Sequence, residues 1–117
     1  MRSGDTSDYR QVARQFGESL AARDYRSAYE LTAKEYRDQT TVEQFQTAFE
    51  TIVPPGWGPI GPVEVGQTML TWPGKRPSDL GWAYVSIGGD VYSEAVTVVV
   101  SSEQGEAKIR EVEFGRP

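Results

Sequence analysis

The sequence predicts one α+β domain, with three N-terminal helices packed on a curved antiparallel sheet of about four strands. Three observations carry this. The chain has 117 residues, a one-domain length. Its first half repeats apolar residues at three- and four-residue spacing, and its second half alternates two-fold and is rich in β-branched residues. A proline- and glycine-rich stretch, 54–62 (PPGWGPIGP), separates the two regimes. Residues 1–7 are expected to be a poorly ordered lead-in, and 8–117 the domain.

Val12, Ala13, Phe16 and Leu20 place one apolar stripe on a first helix over about 8–22, with N-cap candidates between Asp5 and Asp8. Asp24 reads as the N-cap of a second helix whose apolar side is Tyr25, Ala28, Tyr29 and Leu31. Residues 32–39 add a further turn or two, anchored by Tyr36. Thr40 with Glu43, or Thr41 with Gln44, can form a capping box. Val42, Phe45, Ala48, Phe49 and Ile52 then mark a third helix, over about 42–52, which Pro54-Pro55 terminates.

Strands are expected over 63–72, 82–87, 92–100 and 107–114, with a loop at 73–81, a turn at 88–90 and a polar turn around Gly105. The last two form an antiparallel hairpin. In the second strand Ala83, Val85 and Ile87 share one face, and Trp82, Tyr84 and Ser86 the other. In the third, Glu94 has the parity of Val96, Val98 and Val100. Ile109 has the opposite parity to Val112 and Phe114, which predicts a β-bulge near Arg110-Glu111.

Composition excludes several function classes. The net charge is −5 and the pI about 4.7. The chain up to Val53 holds 7 basic and 9 acidic residues, and the rest 5 and 8. Neither half offers the basic face that replaces phosphate counterions, so nucleic acid and anionic membranes are disfavoured as partners. Without cysteine or histidine there is no thiol nucleophile, thiolate or imidazole metal ligand, or Ser-His triad. Asparagine is absent too, which rules out an N-glycosylation sequon. No apolar run is long enough to span a bilayer, so membrane insertion is not expected. The start lacks a signal peptide's apolar region, which fits a cytoplasmic protein, or an exported one whose leader has been removed.

The segment Phe16 to Leu20 (FGESL), followed by Asp24-Tyr25 and Ala28-Tyr29, resembles the opening of nuclear-transport-factor-2-like (cystatin-like) domains, where a helix steps through a short xDY into a second helix. Tyr36-Arg37 and Thr41 to Phe49 resemble a bacterial branch whose third helix starts at a threonine cap. Trp82 to Ser86, Ala95 to Val100 and Lys108 to Arg110 resemble the closing strands. The resemblance covers nearly the whole chain and is one of layout. It implies a cone-shaped fold with a pocket between sheet and helices, and often a homodimer formed through the sheet. The superfamily mixes isomerases, dehydratases and cyclase-like enzymes with adaptors and non-catalytic binding domains, so fold alone selects no function.

Gly56 to Gly61 matches G-x-G-x-x-G, but it follows a helix, contains Pro59 and leads into a strand, which is not a dinucleotide context. Pro59 to Pro62 fits P-x-x-P without a flanking basic residue and reads as a turn. No cofactor is expected. The aspartates all fall at caps, termini or turns, including Asp79, where local backbone hydrogen bonds account for them. Among the glutamates, Glu94 lies at the rim of any pocket faced by the valines. Glu64 is a second strand glutamate, and Glu111 and Glu113 share a face, too weak a pair for a metal site.

Tyr25, Tyr29, Trp72, Trp82, Tyr84 and Glu94 are the candidate ligand-binding residues, since an apolar body with a polar tip suits a small apolar or amphipathic molecule. Trp57 is a further aromatic that can line such a cavity. The absences favour a non-catalytic binding or dimerisation domain. The alternative is an isomerase or lyase in which Glu94 moves a proton and Tyr29 stabilises an enolate-like oxygen. A domain whose sheet simply dimerises predicts a filled interior and a broad apolar sheet face. The face of Trp82 and Tyr84 is then the pairing surface.

Overall fold

The structure, a computed structural model, describes residues 8–57, 60–88 and 93–115. Helix α1 (Asp8–Ala21) is followed by α2 (Tyr25–Glu30), α3 (Lys34–Gln39), α4 (Val42–Ile52) and a 3-10 turn (Pro55–Trp57). Strands β1 (Val63–Met69), β2 (Asp79–Gly88), β3 (Ser93–Glu103) and β4 (Glu106–Phe114) form one antiparallel sheet in the order β1-β2-β3-β4. The fold is α+β, as the change of period predicts. No helix among the described residues is long and apolar enough to cross a membrane. The lead-in 1–7, the cap candidates 5–7, the middle of the G-x-G-x-x-G loop and most of the 88–90 turn lie outside the described residues, as does the side chain of Trp57.

The helical layer holds four α-helices rather than three. What the sequence joins into one second helix is split at 31–33. There the backbone turns to the sheet: Ile109 N–H donates to the Leu31 carbonyl (2.9 Å), Ala33 N–H donates to the Ile109 carbonyl (2.6 Å), and Thr32 forms a parallel bridge with Ile109. These bonds satisfy the edge of β4, and a β-branched threonine suits extended backbone better than helix. The capping signals hold. Asp24 accepts from Ser27 N–H, and Thr41 and Gln44 form the reciprocal capping box, which settles the choice between the two predicted pairs.

One face of the sheet is closed by the helices. Ala83, Val85 and Ile87 from β2, Val96, Val98 and Val100 from β3, and Ile109 from β4 are buried against Phe16, Leu20, Phe45 and Phe49. Gly17 lets α1 come this close, since a Cβ there would lie 2.7 Å from Val85 Cγ1 and 2.8 Å from Val63 Cγ1. Gly81 does the same for Tyr9, whose ring occupies the place of the missing Cβ. The predicted bulge is present. Val99 pairs with Glu111 and Val100 with Ile109, so Arg110 is the extra residue. A second bulge lies between Asp79 and Gly81 in β2, and a third between Val65 and Thr68 in β1. The β3–β4 hairpin turns at Gln104 and Gly105, both at positive φ (52° and 83°), the pattern of a type I′ turn.

Candidate functional site

The six sequence-selected residues do not converge on one cavity. Tyr25 and Tyr29 belong to the helical layer, where their hydroxyls are engaged. Tyr25 donates to Glu50 Oε2 (3.0 Å) and accepts from Arg23 (3.1 Å), while Tyr29 donates to the Thr40 carbonyl. Burial pushes the Tyr25 phenol above its ordinary pKa, and Arg23 offsets part of that rise. Burial likewise raises Tyr36. Phe45 stands at the centre, with ring centroids 5.7 Å from Phe16, 5.8 Å from Tyr29, 6.3 Å from Tyr36 and 5.8 Å from Phe114. Tilted and edge-on rings thus occupy the space between sheet and helices. Clefts of about 460, 450, 260 and 400 Å³ open on the surface formed by the described residues, and none of these has Phe16, Phe45 or Phe49 in its wall.

Glu94 pairs with Ile87 at the far end of the sheet and is half-buried. Among the described residues no hydrogen bond joins it to a tyrosine, and the Tyr29 hydroxyl has Thr40 and Arg37 carbonyls as its partners. Trp72 lies in the β1–β2 loop, half-buried, close in sequence to Leu70, which is 55% exposed.

Trp82 and Tyr84 project from the opposite side of the sheet, away from the helices. Register places three rows across that outer face. Met69, Trp82, Val99 and Glu111 form one row, Tyr84, Thr97 and Glu113 the next, and Glu64, Ser86 and Ala95 the third. In these three rows the residues contributed by β2 and β3 are uncharged, and the carboxylates stand on the outer strands β1 and β4. Gly66, in the β1 bulge, leaves room for Tyr84, whose Cδ1 would be 3.6 Å from a Cβ at that position.

A charged cluster stands at the other end of β2, and the sequence reading of Asp79 as a locally satisfied turn aspartate needs correction there. Asp79 opens β2 and is buried, with Arg110 as its partner. Arg110 Nε and Nη2 each donate to one carboxylate oxygen at 2.6 Å. The Arg76 amide also donates to Asp79 (2.8 Å), the local bond the sequence did suggest. Burial pushes the Asp79 carboxyl up, but Arg110, the Arg76 amide and the Ser101 hydroxyl together hold it below the ordinary carboxylate range. The same pairing raises Arg110 above its usual value. Arg76 in turn donates twice to Glu35 of α3 at 3.0 Å. The 31-residue separation of Asp79 and Arg110 hides the pair from any local pattern. The parity break at Ile109 signals that Arg110 is special but not what it meets.

No group of three or more acidic residues suited to a metal ion occurs among the described residues. Comparison with protein-family models, curated proteins and solved structures found no significant match.

Proposed function

We propose that this chain is a non-catalytic interaction domain that pairs with a second copy through the outer face of its sheet. The observation that carries the reading is the uncharged strip formed by Met69, Trp82, Val99, Tyr84 and Thr97, which has carboxylates only at its flanks. Aromatic residues and methionine are enriched at the centres of interfaces, and charges belong at their rims. The engaged phenols of Tyr25 and Tyr29 and the aromatic packing around Phe45 support a domain whose interior is structural. The family resemblance, with its frequent sheet-mediated dimers, points the same way.

The size of the face sets the expected strength. Strands about 4.8 Å apart and rising about 3.3 Å per residue give a surface of roughly 19 by 23 Å for four strands of seven residues. Doubled over two partners, that falls below the roughly 1,200 Å² of a stable interface, so pairing is expected to be reversible with concentration. Native mass spectrometry with sedimentation equilibrium tests it. The expected result is a dimer that dissociates on dilution and is lost in Trp82→Glu, while the variant's far-UV spectrum is unchanged. A wild-type chain monomeric at high micromolar concentration, or a Trp82→Glu dimer of equal strength, would overturn the proposal.

A further inference from the structure

Asp79 and Arg110 form an ion pair with side chains 0% and 6% exposed. Burying such a pair carries a desolvation penalty that an apolar pair of similar volume avoids, so stability alone is a poor reason for it. Its geometry supplies another. Asp79 grips the Nε and Nη2 side of the guanidinium, and the bulge at Arg110 re-aims the side chain out of strand alternation. Arg110 lines a cleft of about 260 Å³, and Nη1 is the nitrogen that Asp79 does not hold. Among the described residues Nη1 donates to Glu111 Oε1 at 3.3 Å, and Glu111 is 62% exposed. The Arg76–Glu35 pair, both members about half exposed, lines the same cleft. Val112 and Tyr36 add an apolar patch to the lining.

The cleft therefore presents two guanidinium groups and two carboxylates. Asp79 already compensates Arg110. The groups open to exchange are therefore Glu111, which meets Arg110 Nη1 from its own exposed side, and the half-exposed Arg76–Glu35 pair, a contact worth only about 0–1 kcal/mol. A simple anion taking the arginines would leave Glu35 and Glu111 unpaired beside it, and a simple cation held by both carboxylates would strand Arg76, while Arg110 keeps Asp79. A zwitterion replaces both pairs at once. The volume is below the roughly 300 Å³ lower bound for drug-sized ligands, which suits something no larger than one amino acid. We infer that this cleft binds a free α-amino acid with a small apolar side chain. Arg110 and Arg76 receive its carboxylate, Glu35 and Glu111 its ammonium group, and Val112 and Tyr36 its side chain. Asp79 acts as a positioning residue that fixes Arg110.

Titration of the full ¹⁵N-labelled chain with L-valine tests this, with N-acetyl-L-valine and L-valinamide as probes each lacking one charge. The expected result is saturable shifts at Gln39, Thr40, Glu111 and Val112 in the millimolar range, with each blocked probe weaker by about tenfold or more. Glu111→Gln and Arg76→Gln, both changes of exposed groups, are expected to weaken valine severalfold without changing the melting temperature. Absence of saturable shifts with valine would overturn the inference. So would equal binding of N-acetyl-L-valine, which marks a plain anion site, or of L-valinamide, or indifference to both substitutions.

Discussion

The two faces of the sheet are built from neighbouring residues with opposite fates. Val98 is 1% exposed and Val99 4%, yet they are protected differently. Val98 lies under the helical layer, in the same cluster as Phe16 and Phe45. Val99 lies outside that cluster, on the other face of the sheet between its row partners Trp82 and Glu111, and among the described residues no helix covers it. Low exposure thus has two physical meanings here. On the inner face it reflects packing in depth, where the hydrophobic term and dispersion contacts are large. On the outer face it reflects lateral crowding on a surface that a partner can still cover.

Substitutions can break or sharpen this contrast. Phe45→Ala removes the ring that touches four others and is expected to destabilise the fold by about 3–5 kcal/mol in chemical denaturation. A loss under about 1 kcal/mol would mean the helical layer is not tightly packed after all. Asp79→Ala leaves Arg110 buried without its partner and is expected to cost about 3 kcal/mol or more. Its pH dependence has a defined sign. Because the native pKa of Asp79 is lowered, its contribution is fully present above the unfolded value of about 3.9 and is lost as pH falls through the native value. Wild-type stability should therefore drop across that acidic window more steeply than that of Asp79→Ala, as followed by denaturation midpoints. The finest comparison sets Val98→Thr against Val99→Thr. The first places a hydroxyl among apolar groups and should cost about 1–3 kcal/mol. The second sits beside Thr97 on the open face and should stay within about 0.5 kcal/mol. Equal losses would show that the outer face is covered in the isolated chain.

Much of this contrast is legible in the sequence, because period and parity are local. The stripe of α1, a capping box at Thr40 or Thr41 and the two faces of β2 all follow from spacing, and a bulge near Arg110-Glu111 follows from the parity of Ile109 against Val112. What is missed depends on partners distant along the chain. The break between α2 and α3 is imposed by Ile109, far down the chain from Thr32. Asp79 looks like an ordinary turn residue until β4 brings Arg110 to it. Tyr25 and Tyr29 look like pocket residues because a phenol's hydroxyl shows no partner in sequence, and the Glu50 side chain and Thr40 carbonyl that take them up belong to α4 and the turn before it. The arrangement of Phe45 and its ring neighbours rests on how α1, α2, α3 and β4 meet, which no single element encodes.

The short strand-like contact at Thr32 sets a limit on growth. A sheet with two free edges can add copies at both ends and elongate without bound. Here one edge is broken, by Leu31 and Ala33 at Ile109 and by the bulge at Arg110 beside them, so β4 offers no continuous row of open amides and carbonyls. Among the described residues β1 forms the sheet's other edge, with β2 as its bridged neighbour. A β4 edge interrupted in this way is a poor template for adding strands, one device by which a sheet avoids open-ended growth.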